Sequence, residues 1–339
     1  MRQLASIRTV RDIQPIAGAD VIVAIQVDGW KCIAKKGEFN VGDMGVYFEI
    51  DSFLPGSDER FAFLAKQFIN FEGTIGARIR TIKLKGQLAQ GLMLPLHLFP
   101  EIVNHQVGQD VTEILNVQKW EPYVPPQLAG EVNGNFPSVI KKTDENRIQS
   151  LIDEISTEIA GKTFEKTVKL DGTSMTVFRN NDNAGVCGRN WDLRENETNS
   201  LWVVARRNKL IEALNVLGLN IALQGELIGE GIQGNNDNIK GQDFFLFNIW
   251  DIDTGNYVSP EKRQVIVNQL VECGAKINQV PSLGFITFSE SVTVEEILAM
   301  ADGPSLFASN REGLVFKRAD GNFSFKAISN WYLQKYADR

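Results

Sequence analysis

Short apolar runs alternate with turn residues over the first 120 residues, a pattern typical of short β-strands. The run at residues 19–27 is mostly apolar, and residues 45–50 follow the turn-like pair Gly42-Asp43. Comparable runs occur at residues 30–34, 78–85 and 91–96. We therefore predict about five or six strands joined by turns.

Two segments beyond residue 137 repeat their apolar residues at helical spacing. Residues 148–159 carry isoleucine and leucine at this spacing, after a candidate cap at Thr143 or Asp144. Residues 201–217 predict a second helix, which ends at Gly218.

Cap residues indicate two more helices. Ser259 followed by Pro260 is typical of a helix start, and Gly274 is typical of its end. Residues 293–296 have the spacing of a capping box, so we predict a fourth helix that stops at Gly303.

The strands of this second part do not alternate strictly with its helices. They are expected at residues 175–179, 184–189, 222–227, 244–251, 314–317 and 323–326. This order favours a mixed or antiparallel α+β domain over a doubly wound sheet. For the first part, an OB-like β-barrel is the predicted fold, although other small barrels have the same pattern.

A connection rich in proline and glycine separates the two parts. It contains Pro122, Pro125, Pro126, Gly130, Gly134 and Pro137, and no periodicity continues across it. We therefore predict an OB-like domain at residues 1–121, a linker at residues 122–137 and a second domain at residues 138–339.

Composition limits the partners and the compartment. With 35 basic and 42 acidic residues the formal net charge is −7, which argues against a protein covered by polyanion contacts. No apolar run approaches the ~18 residues of a membrane span, and the N-terminus has no signal-peptide segment, so no membrane partner is expected. Three cysteines in unpaired spacing predict an intracellular, reducing compartment, the cytoplasm or nucleus, and argue against a zinc site.

The first candidate for chemistry is the tetrapeptide Lys169-Leu170-Asp171-Gly172. Taken alone, it has a simple structural interpretation, a strand that ends in an Asp-Gly turn beside a solvated lysine. The functional interpretation is a lysine nucleophile held next to an acidic residue. Only the neutral amine can attack, so this lysine needs nearby cations or a metal to lower its pKa.

Further segments follow this tetrapeptide in a fixed order. Each has a simple structural explanation by itself: an edge glutamate, core aromatic residues, a surface turn and an exposed lysine. After Lys169–Gly172, the segments are Gly225-Glu226, the strand with Phe247, Glu312-Gly313 and Phe325-Lys326. Together, in this order, they resemble the motif series of the covalent nucleotidyltransferases, which are the DNA ligases, RNA ligases and mRNA capping enzymes.

The order of domains narrows the resemblance. DNA ligases and capping enzymes have a C-terminal OB domain, whereas only 13 residues follow Lys326 here. The barrel-like domain precedes the motifs instead. This domain order and the sequences of residues 225–235 and 324–330 are similar to those of the Deinococcus-type ATP-dependent RNA ligases. The resemblance extends over essentially the whole chain.

The resemblance implies an ATP-dependent RNA ligase that seals 3′-OH and 5′-phosphate ends, at nicks in an RNA duplex. Lys169 would attack the α-phosphorus of ATP, expel pyrophosphate and hold AMP as lysyl-AMP. The AMP would pass to an RNA 5′-phosphate, and a 3′-OH would then displace it. The protein is expected to act as a monomer.

Roles for the other matched residues also come from the resemblance. Phe247 would stack on adenine, Glu226 would accept from the ribose hydroxyls, and Arg189 would contact the nucleotide. Asp171 and Glu312 would organise Mg²⁺, or Mn²⁺ as an alternative, through bound water. The remaining cations would contact phosphates: Lys317 and Lys326 the α-phosphate, and Arg147 the outgoing β- and γ-phosphates.

Two positions depart from the family pattern. Ser324 stands where many relatives have the first lysine of a Lys-x-Lys pair. Ser174 stands where DNA ligases commonly have an arginine, which fits an RNA ligase better. The alternatives that stay open are a minimal DNA ligase and a nucleic-acid-binding module with an inactive transferase domain.

The front domain has its own candidate interface. Residues 78–85 contain Arg78, Arg80, Lys83 and Lys85 and no acid. The arginines share one face of a regular strand and the lysines the other, but a bulge near Thr81 would put all four on one side. The interpretations are an RNA-backbone track and an edge strand kept from aggregating by its charges.

Overall fold

The structure, a computed structural model, describes residues 3–120 and 131–336. The described residues fold into two compact units. The first contains the described residues up to 120 together with Gln149–Ile152 and residues 333–336, and the second contains residues 131–148 and Asp153–Tyr332. Residues 122–130 of the predicted linker lie outside the described residues, so the linker stays a prediction.

The first unit is built from short strands, as its apolar runs predict. They are β1 (Ala5–Pro15), β2 (Ile22–Val27), β3 (Trp30–Lys35), β4 (Met44–Phe48), β5 (Ser52–Pro55), β6 (Phe68–Phe71), β7 (Thr74–Arg78), β8 (Thr81–Leu84), β9 (Gln87–Gln90), β10 (Leu92–Pro95) and β11 (Gln118–Lys119). Two 3₁₀ helices accompany them, Glu59–Gln67 and Leu96–Leu98. The sheets have the orders β10-β4-β1-β2-β3, β11-β5-β7-β6 and β8-β9.

Strand β1 organises the five-stranded sheet by changing partners along its length. Its first half pairs with β4 and its second half with β2, and the register shifts between Val10 and Asp12. A bulge of this kind bends a strand and increases its twist, which is how a small sheet curls around a core. That core contains Trp30, Tyr47 and Phe48.

The prediction of one continuous strand at residues 78–85 is wrong. Strand β7 ends at Arg78 and β8 begins at Thr81, and the two belong to different sheets. Ile79 forms backbone hydrogen bonds with Asp51 and Ser52 and is buried, and Thr81 is buried too. Residues 78–85 therefore contain the end of one short strand and the whole of the next.

The second unit mixes strands and helices. Its strands are β12 (Val132–Asn135), β13 (Thr163–Lys169), β14 (Thr173–Asn180), β15 (Asn183–Cys187), β16 (Trp191–Leu193), β17 (Ile221–Gly229), β18 (Gln242–Asp251), β19 (Asn256–Tyr257), β20 (Asn278–Gln279), β21 (Ser282–Thr287), β22 (Gly313–Arg318) and β23 (Ser324–Ile328). Its helices are α1 (Ser200–Arg207), α2 (Leu210–Leu217), α3 (Pro260–Glu272), α4 (Val294–Ala299) and α5 (Asn330–Lys335). No helix in the described ranges is long and apolar enough to span a membrane.

Two sheets carry the second unit. The larger has the order β12-β16-β15-β14-β17-β18-β19, with β20 parallel to β18, and the smaller has the order β21-β13-β22-β23. The other pairs are antiparallel, so the predicted mixed or antiparallel α+β domain is confirmed. Buried residues of α1, α2 and α3 join the core against the larger sheet.

Two predicted helices differ in the structure. Over residues 148–159 only a 3₁₀ turn (Ile148–Ser150) and a π turn (Ile155–Ile159) form. Residues 149–152 belong to the first unit, where the Gln149 carbonyl accepts from the Gly29 amide, and this use prevents one continuous helix. The helix at residues 201–217 is interrupted where Lys209 adopts a left-handed φ of 53°.

The helices predicted from caps are confirmed at their starts. The Ser259 side chain accepts from the Lys262 amide at the start of α3, and Thr293 and Glu296 form a complete capping box at the start of α4. Helix α4 ends at Ala299 rather than near Gly303. The Arg311 guanidinium donates to the carbonyls just beyond that end, which explains why the chain leaves the helix early.

Candidate functional site

Lys169 is the last residue of β13 and lies where the two sheets of the second unit meet. Strand β13 belongs to the smaller sheet and β14 to the larger, so Leu170, Asp171 and Gly172 form the crossing between them. The Lys169 Nζ atom donates to Glu312 Oε2 at 2.7 Å. Glu312 immediately precedes β22, whose Gly313 pairs with Lys169, so the register of the smaller sheet places these two side chains together.

Gly172 has a steric reason to be glycine. A Cβ atom there would overlap the Leu227 carbonyl and would come within 2.9 Å of the Glu226 side chain on β17. The absence of a side chain lets the crossing segment approach β17 closely and brings Glu226 toward Lys169. The tetrapeptide is therefore more than a solvated turn.

Three carboxylates surround the lysine and change its ionisation. Burial lowers the pKa of Lys169, but the charges of Glu312, Glu226 and Asp171 outweigh burial and raise this pKa above its ordinary value. Burial raises the pKa of Glu226 to about 7, and the Lys169 charge opposes that effect. Burial also raises the pKa of Glu312. The site thus holds more negative charge than one lysine neutralises, which suits it to an added cation.

The donors present fit a hard divalent ion that keeps most of its water. Carboxylate oxygens are the ligands Mg²⁺ prefers, and this ion usually takes only one or two of them from the protein. Within residues 3–120 and 131–336, no group of three or more His, Cys, Asp or Glu side chains is arranged to hold a metal directly. Asp171 also accepts a hydrogen bond from Asn236 Nδ2 at 2.6 Å, which orients its carboxylate.

Phe247 lies on β18 of the larger sheet and is half-buried. The buried Lys317 donates to the Phe247 carbonyl and has its Nζ 5.7 Å from the ring centroid. Burial, helped by the Arg263 charge, lowers the pKa of Lys317 to about 7. The structure therefore places Lys317 against the backbone of the predicted adenine platform.

The other predicted nucleotide contacts lie on neighbouring strands. Lys326 is on β23 opposite Val315, and its charge opposes the rise in the pKa of Glu312. Arg147 forms an isolated parallel bridge with Lys326, which brings it to this edge of the smaller sheet. Arg189 is exposed and pairs with Asp144 at 3.2 Å, and its charge opposes the rise in the pKa of Glu226.

Sequence reasoning missed residues that shape the site without matching a motif. Glu145 accepts from Ser324 Oγ at 2.7 Å, and burial raises the pKa of its carboxyl against the charges of Lys317 and Lys326. Arg263 is buried and holds Glu165 and the Phe247 carbonyl. In the sequence, Ser324 is notable only because it replaces the first lysine of the Lys-x-Lys pair. That replacement was the one sequence signal that pointed to Glu145, the carboxylate that accepts from Ser324.

The front-domain cations whose side chains are described lie in different structural settings. The Arg78 guanidinium pairs with Asp51 at 2.8 Å and lies 3.7 Å from the ring centroid of Trp120, so it is engaged within the first unit. Arg80 lies between β7 and β8, and Lys85 lies in the turn after β8, where its Nζ donates to the Gly18 carbonyl. The side chain of Lys83 lies outside the described part of the chain. An RNA-binding role for these residues stays a prediction.

Comparisons with known families assign both parts of the chain. Residues 4–96 match an OB-fold domain family, which confirms the predicted fold of the first part. Residues 162–328 match the RNA ligase family. A comparison with curated proteins found no match.

Solved structures of an RNA ligase from Naegleria gruberi match the whole chain. The ligase with PPi is 57% identical, covers 100% of each chain and superposes with a TM-score of 0.94. A variant with AMP and Mn has the same identity, coverage and TM-score. A variant with ATP and Mn is 57% identical over 99% of this chain and 100% of that chain, with a TM-score of 0.93.

Similarity at this level extends across both units, because these matches cover the whole chain. The ligase enzyme class expected from the motif order is confirmed. The chain belongs to the RNA ligase family.

Proposed function

We propose that this protein is an ATP-dependent RNA ligase that works through lysyl-AMP on Lys169 and seals nicks in an RNA duplex. The observation that carries the proposal is the Lys169 ammonium at the junction of two sheets, 2.7 Å from Glu312 and among further carboxylates. The Naegleria gruberi relative has structures with ATP, AMP, PPi and Mn, which supports the same nucleotide chemistry here. The domain order supports the Deinococcus-type subclass.

In the first step the neutral Lys169 amine attacks the α-phosphorus of ATP. A P–N bond forms, the bond from the α-phosphorus to pyrophosphate oxygen breaks, and the lysine loses its proton. A 5′-phosphate oxygen of RNA then attacks the same phosphorus and releases the lysine. Finally a 3′-OH attacks the RNA 5′-phosphate, forms the phosphodiester and releases AMP.

The surrounding residues have separate roles in this proposal. Phe247 stacks on the adenine, Glu226 accepts from the ribose hydroxyls, and Lys326, Lys317, Arg147 and Arg189 contact phosphate or nucleotide oxygens. Asp171 and Glu312 would hold Mg²⁺ or Mn²⁺ through bound water, and the ion would supply positive charge that favours the neutral amine of Lys169.

The test of the first step is transfer of label from α-labelled ATP in the presence of magnesium. The protein is expected to acquire acid-stable labelled AMP, and Lys169→Ala is expected to abolish it. Lys162→Ala is the matched control, since this exposed lysine just before β13 lies at the opposite end of the strand. A labelled Lys169→Ala protein would refute the assignment of the nucleophile, and an unlabelled natural protein would favour an inactive binding module.

The test of the substrate uses one duplex nick built with RNA or DNA on either side. Sealing of the all-RNA nick, faster than sealing of single strands or of all-DNA nicks, is expected. Preference for the all-DNA nick would favour the minimal DNA ligase instead. The monomeric state and the reducing intracellular compartment stay predictions.

A further inference from the structure

The predicted adenine platform lies at an irregularity of the larger sheet. Along the β17–β18 pair, Gln224 is opposite Asn248 and Gly225 is opposite Leu246, so Phe247 is the extra residue of a bulge. Bulged residues leave the regular ladder, and their side chains are aimed differently from those of their neighbours. The direction of the Phe247 ring therefore depends on what holds this piece of backbone.

Two basic side chains hold it through the Phe247 carbonyl. Lys317 Nζ donates to this oxygen, and Arg263 Nη1 donates to it at 3.4 Å. The Arg263 guanidinium is in turn held by Glu165, with Nη2 donating at 2.7 Å and 2.8 Å to the two carboxylate oxygens. Glu165 lies directly opposite Lys317 in the β13–β22 pair, and its negative charge favours the protonated form of Lys317.

The Glu165–Arg263 pair is almost completely removed from solvent. Arg263 is 8% exposed and Glu165 is 4% exposed. A buried ion pair adds little net stability compared with apolar residues of the same shape. What the planar guanidinium provides is direction, because it donates to Glu165 and to the Phe247 carbonyl in a fixed geometry that a point charge does not reproduce.

We propose that Arg263, oriented by Glu165, is a positioning residue for Phe247 and thereby sets the affinity of the enzyme for ATP. Arg263 itself does not touch the nucleotide. It acts by fixing the bulge on which the stacking ring stands, and this inference rests on the proposed adenine-binding role of Phe247. Stacking of a base on an aromatic side chain typically changes affinity about 5- to 150-fold, and misplacement of the ring loses part of that effect.

The experiment replaces the pair by apolar residues of similar shape in Glu165→Leu/Arg263→Met. Such a replacement keeps the fold at unchanged or higher stability, so urea unfolding should not shift to lower concentration. ATP binding is measured by calorimetry with magnesium in a Lys169→Ala background, where covalent transfer cannot occur. The dissociation constant should rise about ten-fold, and in the Lys169 protein KM for ATP should rise similarly with little change in kcat.

The decisive comparison is with Phe247→Leu. That substitution should weaken ATP binding by itself, and adding the Glu165→Leu/Arg263→Met change to it should weaken binding no further. Additive losses, or unchanged ATP affinity in the apolar pair, would overturn the positioning role. Glu158→Leu/Arg318→Met is the matched control and should leave ATP affinity unchanged. It removes the Glu158–Arg318 ion pair of the second unit together with the Arg318–Asp320 pair.

Two further outcomes have assigned meanings. Should the apolar pair not fold, Arg263→Lys replaces it. A lysine keeps the charge beside Glu165 but loses the separate Nη1 donor to the Phe247 carbonyl, so ATP affinity must still fall. If ATP binds but Phe247→Leu has no effect, the adenine-binding role of Phe247 is wrong, and the positioning proposal is wrong with it. A natural protein that binds ATP but is not adenylylated would refute the proposed lysine chemistry while leaving the positioning role to be decided by the binding data.

Discussion

Arg311 offers a quantitative test of how the loop before Glu312 is held. The residue is 7% exposed, and its guanidinium donates to the carbonyls of Met300 and Asp302 at 2.7 Å and of Ala301 at 3.0 Å. These carbonyls follow the last turn of α4, where backbone acceptors have no partners within the helix. One side chain thus terminates α4 and anchors the residue next to the predicted metal-binding carboxylate.

Arg311→Met keeps most of the aliphatic length and removes all of these donors. A buried acceptor left without a partner costs about 1–3 kcal/mol, and part of this is recovered where water enters. For three well-formed bonds we expect a loss of about 3 to 5 kcal/mol in the free energy of unfolding. Arg311→Lys should lose less, because an ammonium reaches fewer of the carbonyls at once.

Unfolding in urea is monitored by tryptophan fluorescence. Adenylation of the protein is measured separately, without urea. The matched control is Arg206→Met, which removes an exposed pair with Glu195 and should change stability by less than about 1 kcal/mol. Equal unfolding free energies for Arg311→Met and the natural protein would refute the reasoning. Adenylation should also fall in Arg311→Met, because the backbone before Glu312 loses its anchor.

Three further predictions concern charge, capping and the front domain. Burial raises the pKa of Glu226 to about 7, so ionisation of this carboxyl opposes folding as pH rises. Glu226→Gln should therefore raise the free energy of unfolding by about 2 to 3 kcal/mol at pH 8. At pH 4.5, where Glu226 is protonated in the folded protein, the substitution should leave the free energy of unfolding unchanged. Thr293→Ala should cost about 1 kcal/mol in urea unfolding through loss of the capping box. Arg78→Ala should lower the free energy of unfolding of the first unit by about 1 to 2 kcal/mol in thermal unfolding, because Arg78 loses its contacts with Asp51 and Trp120. A comparable loss in Lys85→Ala would contradict the stabilising role of these Arg78 contacts.

Much of the second unit could be predicted from local sequence because its signals are local. The cap residues Ser259 and Thr293 make the contacts their positions predict, since a side chain that caps a helix bonds within three residues. The single helix predicted at residues 201–217 shows the limit of periodicity. Both α1 and α2 turn apolar residues to the same core, so the pattern continues through a break at Lys209 that only the backbone reveals.

The candidate site could be predicted only where a residue belongs to a motif. Lys169, Glu226 and Glu312 stand out because their segments occur in order along the chain, and the structure brings their charges together. Arg263 and Glu145 carry no local signal. Their partners lie far away in sequence, and contacts of this kind depend on strand register and helix packing.

The sequence by itself determined the enzyme class, the order of the two domains and the candidate nucleophile, because motif spacing and domain order are properties of the linear chain. Tertiary structure decided the ionisation of the site. The pKa of Lys169 depends on carboxylates that are far apart in the sequence and lie close together only in the folded chain. It also decided that Arg78 packs against Trp120 and that the Phe247 carbonyl is held by Lys317 and Arg263. Residue type limits what a side chain can do, but burial and register determine which charges it meets.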